Sequence, residues 1–383
     1  MIDNSIVDIT DLLYKTMSRT VFKFKSWRQS YSIKSILLSV SSICLVAFML
    51  WTYTLRFNFL ENAKNCFRQT TTGNNKPIKY FEDVLLSHKT PTPGKTIFFH
   101  ETSCSSNGLA QLNGRQACAI ESAAKLNPTY DVFVLFAAPV GFLNESHHSI
   151  SPIFEALLTY QNVHFRTVNL WTYSLDTPLE KLILNNELFM SQYLNSHVSD
   201  FLRYLTLYKY GGTYMDLDVV VQKKLDTLPP NYAGAESSNF VAAGVINFQH
   251  DGIGHKIAEL CVKEFYQSFD GNDWGNNGPG VITRVLQKIC HTEKPTQMTP
   301  ERCSGFNVYP PSAFYAVPWP EWNLLFEPES MAKAMEMTMD SIVMHVWNKH
   351  SKGKLIKVGT KAAYAVAAAE HCSKVYHSVG DYF

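Results

Sequence analysis

The chain has 383 residues and an almost balanced charge, with 34 basic side chains, 33 acidic side chains and a formal net charge of +1. Because no basic tract occurs beyond the amino-terminal arm, the sequence excludes nucleic acid as a partner. Roughly 290 residues follow the amino-terminal region, which is enough for one sizeable hydrophobic core.

An uncharged apolar run near the amino terminus, residues 36–55, has the length of about 20 residues that spans a bilayer. Basic residues precede it, so the amino-terminal arm, residues 1–35, is predicted to lie in the cytosol. A cleaved signal peptide is the weaker alternative, because the run starts late and ends in Trp51 and Tyr53 instead of a small-residue cleavage site. The sequence therefore predicts a single-pass type II signal-anchor.

The stretch after the anchor, residues 56–94, is rich in Asn, Thr, Lys and Pro and is predicted to form a stem below a globular part. A sequon for N-glycosylation begins at Asn144, which is consistent with a surface loop of a secretory protein.

Seven of the eight cysteines follow the anchor, as expected for disulfides in an oxidising compartment. Cys104 and Cys118 are predicted to close a short loop, and Cys66 is left free or available for an intermolecular bond, so a homodimer through the stem or anchor stays open. The other four cysteines could form two bridges in three connectivities; they are Cys261, Cys290, Cys303 and Cys372.

The globular part begins with a strand–helix–strand pattern. Short apolar runs at residues 96–99, 131–136 and 163–168 are typical of buried strands, and residues 114–126 have helical character. Strand, helix and strand at this spacing predict a parallel α/β sheet.

A longer helix is predicted over residues 187–208, because its apolar residues share one face and the glycines at 211–212 can supply a left-handed end. Asp200 and Arg203 lie three residues apart on one flank of this helix. They could form only a local ion pair, worth about 0.5 kcal/mol when exposed, or they could present an acid and a guanidinium fork to a ligand.

Two carboxylates, Asp216 and Asp218, follow a short distance after the glycines. In a strand they would project to the same face, because side chains alternate. Such a pair suits a divalent cation that carries a phosphorylated ligand, since hard ions prefer oxygen donors. The spacing alone is weak evidence, because two aspartates at this spacing also arise by chance at solvated strand ends.

The run SDFLRYLTLYKYGGTYMDLD, residues 199–218, resembles the glycosyltransferases that have a sugar-binding DXD region. Three further runs are similar to the carboxy-terminal region of the α1,4-glycosyltransferases: WGNNGPG at 274–280, PSAFYAVPW at 311–319 and HVWNK at 345–349. The resemblance extends from about residue 95 to the end of the chain.

The resemblance implies a GT-A fold in which residues 95–228 form a Rossmann-like nucleotide-sugar-binding half and residues 229–383 form an acceptor-binding half. It also implies a Golgi membrane enzyme with a luminal catalytic domain. That enzyme would transfer galactose or an N-acetylhexosamine from a UDP-sugar, in α1,4 linkage and with retention, to a glycosphingolipid such as lactosylceramide. The implied cofactor is Mn²⁺ or another divalent cation.

By position in the family pattern, Asp216 would contact the donor sugar and Asp218 would bind the metal, with His345 as a second ligand. Asp200 and Arg203 would hold the donor sugar and the phosphate. A metal bridging the phosphate oxygens would supply positive charge where the leaving group develops negative charge.

Four further side chains are predicted to bind donor or acceptor. Asn247 and Asn277 could line the site, and the indoles of Trp322 and Trp347 could stack on a pyranose, although a turn and core packing are the structural alternatives. Other functions stay open: an α1,4-N-acetylgalactosaminyl- or N-acetylglucosaminyltransferase acting on other glycolipids or O-glycans, and a non-catalytic lectin-like Golgi protein. A metal-dependent phosphoesterase would be expected to have a larger carboxylate and histidine cluster.

Overall fold

The structure is a computed structural model that describes residues 33–68, 78–143 and 150–383. Residues 1–32 of the predicted cytosolic arm and the sequon at Asn144 lie outside the described residues. Backbone contacts divide the chain into two units, Met1–Phe59 and Leu60–Phe383.

The predicted anchor is helical. Helix α1 runs over Ile33–Phe67, and its stretch Leu38–Phe67 is long and apolar enough to cross a membrane. The apolar side chains from Leu38 to Leu55 are largely exposed, as expected of a helix whose solvent is lipid. The helix continues past the predicted end at residue 55, because no Gly or Pro interrupts the chain before Phe67.

The predicted stem is partly integrated into the second unit. Ala63 and Phe67 are buried in its core, and residues 78–80 form a strand that pairs with another strand of this unit. Composition indicated an extended stem here, but a few buried apolar side chains are sufficient to fix these residues on the unit.

The strands of the described residues belong to one large sheet and two small ones. In chain order they are β1 Ile78–Tyr80, β2 Thr96–Glu101, β3 Asp131–Phe136, β4 Gly141–Leu143, β5 Val163–Thr167, β6 Gly212–Met215, β7 Val219–Val221, β8 Tyr232–Ala235, β9 Val241–Phe248, β10 Asn307–Tyr309 and β11 Val343–His345.

Helices cover both faces of the large sheet. After α1 they are α2 Gly114–Leu126, α3 Pro152–Leu158, α4 Leu170–Tyr173, α5 Glu180–Leu184, α6 Leu194–Tyr210, α7 Gly252–Ser268, α8 Pro279–Cys290, α9 Pro311–Phe314, α10 Met331–Thr338, α11 Asn348–Ser351, α12 Ala363–His371 and α13 Ser373–Ser378.

The large sheet has the strand order β10-β8-β9-β6-β2-β3-β5. Strands β6, β2, β3 and β5 are parallel, and β9 is antiparallel to both β6 and β8. Successive side chains of β2 enter different cores, since Ile97 and Phe99 pack on one face and Phe98 packs on the other. The predicted mixed α/β fold with a central, mostly parallel sheet is confirmed.

The long helix before the glycines begins later than predicted. Helix α6 starts at Leu194, because Ser191 is extended and its hydroxyl accepts the Tyr193 N–H at 2.9 Å, which ends a preceding single 3₁₀ turn. Its other end is as predicted: Gly211 has φ of 61° and Gly212 has φ of 86°. A side chain at Gly212 would also lie 2.4 Å from the Thr96 carbonyl oxygen, so glycine is required at this point.

The disulfides differ from the sequence-based predictions. Cys66 pairs with Cys104, Cys118 pairs with Cys372, and Cys290 pairs with Cys303. The predicted Cys104–Cys118 loop is therefore wrong, because Cys118 lies on the buried face of α2 that meets the carboxy-terminal helices. Cys66 is not a free thiol for dimerisation, and Cys261 is a buried free cysteine.

We expect the Cys118–Cys372 bridge to contribute more stability than Cys290–Cys303, because the two bridges close separations of 254 and 13 residues. Replacing both cysteines of the first pair by Ala should lower the free energy of unfolding by roughly 2 kcal/mol more than the same change in the second pair. Urea denaturation of the purified protein measures both values. Equal losses from the two pairs would contradict this prediction.

Candidate active site

The sequence predicted that the two aspartates of the DXD motif lie in a strand. In the structure they lie in a turn between two sheets. Strand β6 ends at Met215, and the Asp216 N–H makes the last bond to β9, donating to the Gly244 carbonyl at 2.8 Å. The chain then enters β7, which pairs with β11 instead. This change of partner strand brings the carboxy-terminal part of the chain to the motif.

His345 is the residue that the change of partner brings in. It lies opposite Val219 in the β7–β11 pair, and its Nε2 is 3.3 Å from an Asp218 oxygen and 3.9 Å from an Asp216 oxygen. One ligand atom from each of these three side chains lies within 4.8 Å of the others. The predicted metal ligands thus come together in space.

The remaining contacts of the two carboxylates leave suitable atoms for a divalent cation. Asp216 accepts the Tyr214 hydroxyl at 2.6 Å through Oδ1, and Asp218 accepts the Asn348 N–H at 2.7 Å through Oδ2. The other oxygen of each carboxylate faces the imidazole Nε2, and Mn²⁺ binds such a mixture of oxygen and nitrogen ligands. A side chain at Gly244 would come within 2.9 Å of this Asp216 oxygen, so glycine keeps the space open.

The pKa values of the three side chains in the cluster depend on one another. Burial raises the pKa of Asp216, but the Arg203 guanidinium and His345 outweigh it and bring the pKa to about 2. Burial raises the pKa of Asp218, and His345 offsets only part of this increase. Burial lowers the pKa of His345, yet the two carboxylates more than compensate and raise it. The proton that His345 holds between the two carboxylates is the one that a divalent cation would displace on binding.

Arg203 joins the helix pair to the motif. Its guanidinium lies 3.0 Å from an Asp200 oxygen and 3.3 Å from Asp216 Oδ1, and it donates to the Ala243 carbonyl at 2.7 Å. The guanidinium also lies over the Tyr214 ring, 4.6 Å from its centroid. Arg203 therefore holds both Asp200 and Asp216 in place, and its role in binding the phosphate stays a prediction.

These residues line one cleft with a volume of about 510 Å³, in the size range of small-molecule sites. Lys349 and Trp274 form part of its rim: the Lys349 Nζ lies 3.1 Å from the Trp274 ring centroid, and the indole donates to the Ser196 hydroxyl at 3.2 Å. The predicted metal and helix residues all line this cleft; they are Asp200, Arg203, Asp216, Asp218 and His345.

Trp347 also lines the cleft, in a left-handed backbone conformation with φ of 56° and ψ of 54°. Its indole donates to the Val317 carbonyl at 2.8 Å, and its ring centroid is 4.3 Å from that of His345. A bulky residue in this conformation indicates strain that the surrounding contacts maintain at a functional site. The Trp347 N–H also donates to His345 Nδ1 at 3.2 Å, so Trp347 orients the imidazole ring.

Three predicted binding residues lie elsewhere. Asn247 is buried at the opposite end of β6, where it donates to the Thr213 hydroxyl at 2.9 Å. Asn277 is fully buried and stabilises a turn through the Asp270 backbone. Trp322 packs on Phe326 and is not among the residues of the cleft. Polarity and clustering of tryptophans in the sequence did not distinguish these structural roles from binding.

Arg115 has a role that the sequence did not reveal. It donates to the Ser351 carbonyl at 3.0 Å and the Asn348 side chain at 3.4 Å, and also to the Lys354 carbonyl. It thereby fixes the segment whose Asn348 N–H binds Asp218. Asn348 lies 233 residues away from Arg115 in the sequence, so no local pattern could have indicated this contact.

Two family models match the sequence. One is described as the glycosyltransferase sugar-binding region containing the DXD motif and matches residues 113–235; the other is the alpha 1,4-glycosyltransferase conserved region and matches residues 250–379. The lactosylceramide 4-alpha-galactosyltransferase of Rattus norvegicus is 31% identical over 309 residues, which cover 80% of this chain and 81% of the relative. The chain belongs to the α1,4-glycosyltransferase family.

Other members are similarly related to this α1,4-glycosyltransferase. The lactosylceramide 4-alpha-galactosyltransferase of Homo sapiens is 32% identical over 76% of this chain and 79% of its own. The human alpha-1,4-N-acetylglucosaminyltransferase is 26% identical over 78% and 83%. Among solved structures, the galactosyltransferase LgtC matches with a TM-score of 0.34 at 15% identity over 73% of this chain and 95% of LgtC. Membership of the family is shown by the sequence relatives.

Asp200 provides a test of the electrostatics of this site. Burial raises its pKa to about 7, although the Arg203 guanidinium counteracts part of the increase. The pKa of an aspartate in an unfolded chain is about 3.9. Between these values the folded protein binds the proton more tightly, so stability falls as the pH rises to 7 and then levels off.

Asp200→Asn removes this titration and keeps an acceptor for Arg203. In metal-free buffer, we expect the melting temperature of the variant minus that of the wild type to increase as the pH rises from 5 to 8. Thermal unfolding at several pH values measures the difference. A difference that does not change with pH would contradict the buried, elevated pKa.

Proposed function

We propose that this family member transfers a hexose from a UDP-sugar, in α1,4 linkage and with retention, onto a glycosphingolipid such as lactosylceramide. The hexose is galactose or an N-acetylhexosamine. The observation that carries the proposal is the convergence of Asp216, Asp218 and His345 on one point of a cleft in a chain of this family.

The cleft suits a nucleotide diphosphate that carries a sugar. A divalent cation held by Asp216, Asp218 and His345 would offset the charge of the diphosphate when the bond to the sugar breaks. Arg203 holds Asp216 in place, and Asn348 holds Asp218. Lys349 lines the same cleft and adds a positive charge to it.

The amino-terminal helix supports a membrane location for the proposed enzyme. An apolar helix preceded by basic residues supports a type II anchor in the Golgi membrane, with the catalytic unit in the lumen. An enzyme tethered in this way meets acceptors in the same membrane, which supports a glycolipid headgroup as the acceptor. The names of the galactosyltransferase relatives support lactosylceramide.

The donor and acceptor can be identified in one screen. The purified protein with Mn²⁺ is supplied with UDP-galactose, UDP-N-acetylgalactosamine or UDP-N-acetylglucosamine, together with lactosylceramide or other glycolipid and glycan acceptors. We expect acceptor-dependent release of UDP from at least one donor. Release without acceptor would indicate a hydrolase, and no reaction by a folded protein would indicate a binding protein.

Asp218→Ala tests the metal cluster directly. Loss of a ligand that faces the cluster should lower metal-dependent transfer by at least about 100-fold, while the protein still folds. The matched control is Asp226→Ala, an exposed aspartate in the 3₁₀ turn after β7. Transfer rates and melting temperatures are measured for both variants. Retained activity of Asp218→Ala would contradict a role of the motif in metal binding.

A further inference from the structure

One carboxylate of the cleft wall has no protein partner. Glu236 is half-buried, and its carboxylate makes no hydrogen bond or ion pair with another residue in the part of the chain that the structure describes. The other carboxylates of the cleft all have partners: Asp200 has Arg203, Asp216 and Asp218 have the contacts given above, and both oxygens of Glu101 accept hydrogen bonds. A half-buried carboxylate without a partner loses hydration and gains nothing in return, unless a ligand supplies the missing interaction.

The position of Glu236 follows from the strand directions. Strands β6 and β8 are both antiparallel to β9, so they run in the same direction and end at the same edge of the sheet. Asp216 is the residue after β6, and Glu236 is the residue after β8. The Glu236 N–H donates to the Phe240 carbonyl at 2.9 Å, and this tight turn fixes its backbone.

The electrostatic setting of Glu236 defines what it can bind. Burial raises its pKa, and the positive charges of His345 and Lys349 oppose this increase only in part. It is not part of the metal cluster, which consists of Asp216, Asp218 and His345. A basic carboxylate outside the cluster would repel the diphosphate of the donor. The one part of a nucleotide sugar that becomes positive during transfer is the anomeric carbon.

We propose that Glu236 is the nucleophile of the sugar transfer, an assignment that rests on the proposed retaining function. In the first step a Glu236 oxygen bonds to the anomeric carbon, the bond from this carbon to the phosphate oxygen breaks, and UDP leaves with the electron pair. In the second step the acceptor hydroxyl oxygen bonds to the same carbon and the ester bond to Glu236 breaks. The hydroxyl proton passes to the released carboxylate and then to water. Two inversions give net retention.

The first test compares Glu236→Gln with the wild type, using the full-length chain in detergent. The amide keeps the size of the side chain but is a poor nucleophile, so kcat should fall by at least about 100-fold. The affinity for UDP with Mn²⁺, measured by calorimetry, should change by less than about threefold, since Glu236 does not bind the diphosphate. The matched control is Ser238→Ala, an exposed residue of the same turn, which should keep wild-type activity.

The second test distinguishes a nucleophile from a structural residue. In Glu236→Ala, azide can enter the vacated space, and we expect a sugar azide of inverted configuration, detected by mass spectrometry and NMR. With the wild type and donor alone, peptide mass spectrometry should find the hexose on the peptide that contains Glu236.

The outcomes separate the two proposals. A wild type that transfers sugar, together with a Glu236→Gln variant that keeps more than about a tenth of its kcat, would overturn the nucleophile assignment alone. The same holds if the variant is inactive but neither the sugar azide nor the labelled peptide forms. A wild type that transfers no sugar from any donor would overturn the proposed function, and this assignment with it.

Discussion

The site depends on one change of strand pairing. After Met215 the chain leaves β9, turns through Asp216 and Asp218, and pairs with β11 through β7. This pairing is the contact that brings His345 to the two aspartates, because His345 is the last residue of β11. Without it, the motif would be two carboxylates at a strand end, which bind a metal only weakly.

Several contacts stabilise this arrangement from outside the motif. Arg203 connects Asp216 to helix α6, and Arg115 holds the segment after β11 against the start of α2. One turn further along α2, Cys118 is bonded to Cys372 near the carboxy terminus. The two predicted halves of the glycosyltransferase are therefore connected by the hydrogen bonds of Arg115 and by a covalent bond, and the Arg203–Asp216 ion pair fixes the motif within the first half. Such contacts hold reactive groups in position before a ligand binds.

The features predicted correctly from the sequence are those with local causes. Residues 114–126 form α2 as predicted, because Asn113 and Gln116 provide a capping box and the apolar face is regular. Residues 131–136 form β3 as predicted from a continuous apolar run. The DXD, helix and histidine motifs were found through the resemblance, which carries information on distant contacts that a single sequence pattern lacks.

The features that the sequence did not reveal depend on distant partners. Cys104 and Cys118 are close in the sequence, but Cys104 lies in the loop after β2 and Cys118 lies in α2, and each is bonded to a more distant cysteine. The shortest loop was therefore the wrong prediction. Asn247 has the same polarity as a ligand-binding residue, and only the register of β9 shows that it is at the far end of the sheet. The Glu236 carboxylate has no partner among the described residues, and no sequence motif indicates this.

The central claim is that Asp216, Asp218 and His345 together hold a divalent cation that binds the diphosphate of the donor. The most direct measurement is the affinity for UDP with and without Mn²⁺, by calorimetry, in the wild type and in His345→Ala. The account predicts that Mn²⁺ strengthens UDP binding to the wild type and has little effect on the variant. Equal strengthening in both proteins would contradict it, because the cation would then be held without the histidine that the β7–β11 pairing supplies.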